Sequence, residues 1–186
     1  MKKGKLMVIT GCMFAGKTTM LIAYIEKAVQ HNKKVKVFHP IIDTRYTKNS
    51  ISSHDKKLFS SLPLSLDTKN IEKGESEIVF LDEVQFFGME IVMAIQELLK
   101  NGTDVVISGL DKDFRGEVFA NMDQLVQKAD NVICLKAKCA TCGKPAVFSQ
   151  RLASVKSKGN IVVGGADMYS PKCMTCFIFP GDIVNR

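Results

Sequence analysis

Gly11-Cys12-Met13-Phe14-Ala15-Gly16-Lys17-Thr18 satisfies G-x-x-x-x-G-K-[ST], with Thr19 following, a spacing whose chemistry is phosphate binding. The glycines let backbone N–H groups turn inward around phosphate oxygens, and the N-terminus of the following helix adds positive potential. Lys17 is placed to reach the β- and γ-phosphates and Thr18 to ligate Mg²⁺. A metal partner is expected from an acid at the end of a neighbouring strand, and Ile78-Val79-Phe80-Leu81-Asp82-Glu83 supplies it. Asp82 fits the metal role, while Glu83 either orients water or accepts a proton from a substrate hydroxyl. The pair alone does not choose.

Further groups gather at the same kind of position. Gln85-Phe86-Phe87 follows the acids, and Gly109-Leu110-Asp111-Lys112-Asp113-Phe114 follows another strand. Open α/β sheets bind ligands at strand C-terminal ends, so Phe86 and Phe114 are placed to hold a flat ring with Leu110 as a wall, although for either phenylalanine taken alone core packing is the commoner role. Arg45, in Asp43-Thr44-Arg45-Tyr46, is placed either to stabilise charge on a transferring phosphoryl group or simply to sit in water. Four of the six cysteines form Cys139-x-x-Cys142 and Cys173-x-x-Cys176, two knuckles that complete a four-thiolate structural Zn²⁺ shell. Cys12 and Cys134 lie in apolar contexts and read as small buried hydrophobes. His31, His39 and His54 have no ligand-like spacing.

These residues need elements to hold them. Residues 5–10 read as a buried strand, 18–31 as a helix, 35–38 as a strand, 78–82 as a strand, 89–100 as a helix stopped by Asn101-Gly102, and 104–108 and 131–135 as strands. The stretch after the second strand through Ser65, polar and broken by Pro40 and Pro63, is expected to contain a long functional loop. The alternation predicts an α/β fold: a mainly parallel sheet with helices on both faces. At about residue 137 periodic apolar pattern gives way to cysteine, lysine and glycine. The expected division is therefore a phosphate-loop α/β domain, 1–136, and a small metal-binding domain, 137–186, whose tail from 178 carries no signal.

Composition agrees. The 186 residues are 46% hydrophobic and 24% charged, which suits one packed domain with a small appendage and excludes disorder. Lys plus Arg number 26 against 19 Asp plus Glu, a net +7, suiting polyphosphate substrates or nucleic acid. Lys2, Lys3 and Lys5 before residues 6–9 mimic an export signal, but the apolar run is shorter than the roughly 7–15 residues required. With no stretch of about 18 apolar residues, a soluble cytoplasmic protein is expected.

Taken together, these motifs resemble the cytosolic, zinc-containing class of thymidine kinases over nearly the whole chain. The likeness rests on the phosphate loop through Thr19, Asp43-Thr44-Arg45-Tyr46, Leu81-Asp82-Glu83-Val84-Gln85-Phe86-Phe87, Gly109-Leu110-Asp111, the four paired cysteines, and Val163-Gly164-Gly165-Ala166-Asp167-Met168-Tyr169. The resemblance implies a RecA-like core and transfer of the ATP γ-phosphate to the 5′-hydroxyl of thymidine for DNA precursor salvage; relative use of deoxyuridine depends on pocket volume near the base C5 position. It makes Glu83 the catalytic base, puts Thr18 and Asp82 at Mg²⁺, and sets Arg45 and Asp43 near the reacting end. Phe86, Leu110, Phe114 and Tyr169 would line the nucleoside pocket, Met13 would approach the base, and Ser149 stands where threonine is frequent. A lasso between Cys142 and Cys173, anchored by zinc, would read thymine through backbone groups at Val162, Val163, Gly164 and Gly165. A homotetramer and feedback inhibition by thymidine triphosphate are also implied. Ala15 departs from the frequent serine, and the C-terminal regulatory extension of animal members has no counterpart.

Two other classes explain part of the pattern. A nucleic-acid-dependent ATPase accounts for the charge and the zinc ribbon, but no run of interleaved basic and aromatic residues marks a strand-binding groove. A zinc-ribbon adaptor leaves the phosphate loop idle.

Overall fold

The structure is a computed structural model and describes residues 2–43, 50–52, 58–66, 68, 71–152 and 167–179. In chain order the elements are β1 (Leu6–Gly11), α1 (Lys17–Gln30), β2 (Val35–Pro40), β3 (Ser50–Ser52), β4 (Leu58–Ser60), β5 (Leu62–Leu64), β6 (Ile78–Leu81), a 3-10 turn (Val84–Phe86), α2 (Glu90–Lys100), β7 (Asp104–Gly109), α3 (Ala120–Lys128), β8 (Asn131–Leu135), β9 (Ala137–Lys138), β10 (Pro145–Ala146), β11 (Phe148–Arg151) and β12 (Tyr169–Lys172).

Six strands form one sheet in the order β5-β2-β6-β7-β1-β8, and every pairing in it is parallel. The parallel α/β architecture is therefore as expected. Side-chain alternation divides its apolar residues between two layers. Leu6, Val8, Val79, Leu81, Val105 and Ile107 face α2 and α3, while Ile9, Val37, Phe80 and Val106 face Leu21, Ile22 and Ile25 of α1. A strand buried on both faces reads as an unbroken apolar run, which is why β1, β6 and β7 are legible. α2 ends as its sequence requires: Gly102 N–H donates to Leu99 O at 3.1 Å and Thr103 N–H to Leu98 O at 3.0 Å, the paired closure of a Schellman turn.

One expectation needs correction and several elements were not foreseen. The stretch through Ser65, expected to contain a long loop, also carries three short strands: β3 and β4 pair antiparallel there, and β5 extends the main sheet beside β2. These strands have three residues each, too few to show a period, and Pro63 is tolerated in β5 because an edge strand can spare its N–H. Residues 120–128 form α3, which no periodic signal announced because its buried positions are Asn121, Met122 and Leu125. Cys134 is exposed rather than buried, since it lies on β8, the outer strand beyond β1. After β8 the chain leaves the main sheet, and β9–β10 and β11–β12 form two antiparallel pairs.

Candidate active site

β1 delivers the phosphate loop at the C-terminal edge of the sheet. Gly11 passes so close to β8 that an added Cβ would lie 2.2 Å from Leu135 O, and Gly16 turns into α1 at φ 85°; only glycine meets both demands. Phe14 also takes a positive φ of 65°. Lys17 opens α1 with its side chain folded back, Nζ donating to Cys12 O at 2.9 Å. It is 8% exposed, and burial pushes its pKa below the ordinary lysine value against the pull of Glu83, Cys12, Asp82 and Asp111.

Asp82 is the hub. Its Oδ2 accepts the Thr18 hydroxyl at 2.9 Å, and its Oδ1 accepts the Glu83 N–H at 2.9 Å and the Ser108 hydroxyl. Burial, then the neighbouring Glu83 charge, raise its pKa to about 6 despite those three donors. β1, β6 and β7 thus bring together one lysine, two hydroxyls and two carboxylates, a set that could hold a phosphorylated ligand and its cation. Glu83 stands at φ 51°, ψ 44°, a left-handed conformation that costs a non-glycine residue about 1–2 kcal/mol, and Gln85 Nε2 donates to its Oε2 at 2.5 Å.

The other expected positions distribute as follows. Phe86, Leu110 and Phe114 are half-buried at the same edge. Two guanidinium groups lie over the Phe114 ring, with the Arg115 and Arg151 carbons each 4.9 Å from its centroid. Tyr169 is buried opposite Arg151 in the β11–β12 pair, and burial raises its phenol. Ser149 is buried and accepts the Met13 N–H at 3.0 Å, joining the phosphate loop to β11. Ala15, Thr18 and Thr19 are half-buried around the start of α1, and Asp43 is buried just beyond β2. Arg45, Val162, Val163, Gly164 and Gly165 lie outside the described residues, as does the tail from 180.

Cys139, Cys142, Cys173 and Cys176 bring their sulfurs within 4.8 Å of one another, with Cys142 and Cys173 3.6 Å apart. Four thiolates about 2.3 Å from a tetrahedral ion stand roughly 3.8 Å apart, so the set fits a closed metal shell. Burial works to raise Cys139, but backbone groups of Cys173, Cys142 and Thr141 outweigh it and draw the thiol down to about 6. Cys142 and Cys173 push Cys176 up to about 12. The unit abuts the phosphate loop: Cys12 packs with Ala137, Cys139, Ala146 and Cys173, and its Sγ meets Ala146 O at 3.3 Å.

The model of the thymidine kinase family matches residues 4–177. The chain belongs to the thymidine kinase family. It is 37% identical over 96% of its length to the thymidine kinase of Thermococcus kodakarensis, covering 96% of that protein. The thymidine kinase of Mycoplasma capricolum is 42% identical, with 96% of this chain and 91% of that one aligned. For the thymidine kinase of Coprothermobacter proteolyticus the values are 40%, 96% and 92%. The solved ATPase DotB of Legionella pneumophila is a distant likeness, 15% identical over 69% of this chain and 35% of its own, with a TM-score of 0.39.

Residue spacing did not single out Ser108, Gln85 or Asn121. Ser108 ends a buried strand and reads as filler, yet it donates to Asp82. Asn121 donates to Val84 O at 2.9 Å and Phe87 O at 2.8 Å, pinning the turn that carries Gln85 to α3. His39, given no role, is buried with its Nδ1 2.8 Å from the Ser61 hydroxyl. Among the described residues no helix is long and apolar enough to cross a membrane.

Proposed function

We propose that this protein is a thymidine kinase that transfers the γ-phosphoryl group of ATP to the 5′-hydroxyl of thymidine. The observation that carries the reading is the Thr18–Asp82 hydrogen bond, which joins the phosphate loop to the acid strand with Glu83 next in the chain, in a chain of this family. Lys17 exchanges Cys12 O for phosphate oxygens, and loop N–H groups and the α1 N-terminus hold the rest of the polyphosphate. Thr18 and Asp82 would hold Mg²⁺, which neutralises charge on the β- and γ-phosphates when bound. Glu83 takes the hydroxyl proton as the new O–P bond forms and the bond to the bridging oxygen breaks, its electron pair leaving on ADP. Arg45 stabilises charge at the transferring group, with Asp43 near the reacting end.

Phe86, Leu110, Phe114, Ser149 and Tyr169 form the nucleoside pocket with Met13, and backbone at Val162, Val163, Gly164 and Gly165 reads the base. Cys139, Cys142, Cys173 and Cys176 would hold a structural Zn²⁺, which when bound would anchor the lasso and so help to exclude water from the reaction. In this reading residues 1–136 and 137–186 are the two functional units, the enzyme is cytoplasmic and homotetrameric, and thymidine triphosphate inhibits it.

The test is ADP formation by purified protein with ATP and Mg²⁺, run with thymidine, deoxyuridine, other nucleosides, single-stranded DNA and no acceptor. Thymidine-dependent ADP matched by thymidine monophosphate is expected. DNA-stimulated hydrolysis indifferent to nucleosides would replace the kinase with an ATPase. Glu83→Gln is expected to bind ATP normally and lose about 10²-fold or more in turnover.

A further inference from the structure

Glu83 has little latitude. Its backbone is in the left-handed region, its N–H is committed to Asp82, and its Oε2 accepts the Gln85 amide at 2.5 Å. Gln85 is 2% exposed, and its own Oε1 accepts the Leu110 N–H at 3.0 Å. With a carboxylate on one side and an N–H on the other, only one amide orientation works; turning it over sets oxygen against oxygen and N–H against N–H. The surroundings leave room for this side chain. A Cβ at residue 109 would lie 2.9 Å from Gln85 Oε1 and 2.8 Å from Met122 Sδ, so glycine there lets the amide reach across from the end of β6 to the end of β7.

We propose that Gln85 is a positioning residue for phosphoryl transfer: it fixes the Glu83 carboxylate and ties it to Leu110, so that one buried amide sets the base relative to the nucleoside wall. The inference rests on Glu83 being the base. Gln85 itself exchanges no proton. Its contribution is geometric, and geometry of this kind is steep, because a misplacement of about 1 Å at a reacting group can cost about 10²-fold.

Two substitutions separate its two bonds. Gln85→Glu keeps an oxygen for the Leu110 N–H but replaces the donor to Glu83 with a second carboxyl, whereas Gln85→Leu removes both bonds at similar volume. Each is expected to lower kcat for thymidine phosphorylation by about 10-fold or more while KM for ATP stays within about two-fold. Neither is expected to add a further loss when built into Glu83→Gln, since residues that act through one another are not additive. Parental kcat in Gln85→Glu would overturn the proposal. So would a loss of equal size with and without Glu83, which marks a structural prop. If Glu83→Gln alone leaves turnover unchanged, the assignment of the base fails first; if Glu83→Gln is impaired and the Gln85 variants are not, only the role of Gln85 falls. Should Gln85→Leu not fold, Gln85→Glu in the two backgrounds decides.

Discussion

At the N-terminal edge of the main sheet, Lys33 Nζ meets Glu77 Oε1 at 2.7 Å, Lys34 meets Glu75 at 2.6 Å and Lys73 donates to Thr103 Oγ1 at 2.7 Å. Several of these residues line a polar hollow of about 310 Å³. At the C-terminal edge, Lys17, Asp82 and Glu83 carry the same kinds of charge on the continuations of β1 and β6. The difference is water. Side chains of Lys33 and Glu77 are 48% and 46% exposed, so their charges are solvated as well as paired. Lys17 and Asp82 are 8% and 3% exposed and rely on hydroxyls, N–H groups and a carbonyl that a phosphate and its cation can replace. Residue type and charge balance are therefore poor guides to a site; withdrawal from water with exchangeable partners is the better one.

The strongest way to break this comparison is Asp82→Asn. It removes the acid expected at the metal while keeping one oxygen for the Ser108 hydroxyl and the Glu83 N–H, with the amide nitrogen set against the Thr18 hydroxyl, so turnover is expected to fall by about 10³-fold or more. Because burial disfavours the charged form of Asp82, the thermal midpoint without nucleotide is expected to stay or rise. Lost activity with raised stability would mark a group held at a cost for function. A falling midpoint would make Asp82 a structural acid like those at the opposite edge.

Next in size is disruption of the metal site, which tests whether the C-terminal edge depends on the unit packed against it. Cys176→Ser, or prolonged chelation, is expected to release one bound metal per chain, read by elemental analysis, and, on the proposal that the metal anchors the lasso, to reduce turnover by about 10-fold or more. ATP affinity is expected to weaken only a few-fold. The links between the unit and the phosphate loop include Cys12 Sγ to Ala146 O and Met13 N–H to Ser149, while Lys17 and Thr18 belong to α1. Equal loss of ATP and thymidine binding would show that the two units fold as one.

Asn121→Ala should act through stability before chemistry. It removes the amide donor from Phe87 O and one of two donors from Val84 O, which keeps the Phe87 N–H at 3.1 Å, and a buried group left unpaired costs about 1–3 kcal/mol. Denaturant titration is expected to show a loss of about 1–3 kcal/mol, with turnover of the folded fraction down only a few-fold as the turn carrying Gln85 loosens. Turnover falling as far as in Glu83→Gln would move Asn121 from the frame to the site.

How much of this was legible depends on how far apart the partners are. The phosphate loop is a local object, since its glycines, lysine and flanking strand and helix all lie within one stretch, and the same holds for each cysteine knuckle. The acids after β6 were found because a doubly buried strand announces its own end. Gln85 and Leu110 are 25 positions apart and Ser108 and Asp82 are 26, and nothing in either segment alone specifies that β6 and β7 lie side by side. α3 escaped because a buried asparagine broke its apolar period, and β3, β4 and β5 because three residues carry no period. Local chemistry is written in spacing; the bonds that tune it are written in strand order.

The smallest effect is expected where charge is most visible. Lys33 holds Glu77 below the ordinary carboxylate range through a direct hydrogen bond, and the same contact raises Lys33. A depressed acid contributes its stability above the unfolded-state value and loses it as pH falls through the folded one. Both partners are exposed, however, so solvent and salt screen the pair. Glu77→Gln should therefore leave turnover unchanged and move the thermal midpoint at pH 7 by no more than about 2 °C, with even that difference vanishing in strong acid or in about 1 M salt, where the Debye length shrinks to about 3 Å. A larger loss at pH 7 that survives high salt would show that Glu77 is held by more than its charge, through its hydrogen bond to the Lys34 N–H at 3.1 Å, and would make the N-terminal edge a structural clamp between β2 and β6 rather than a solvated rim.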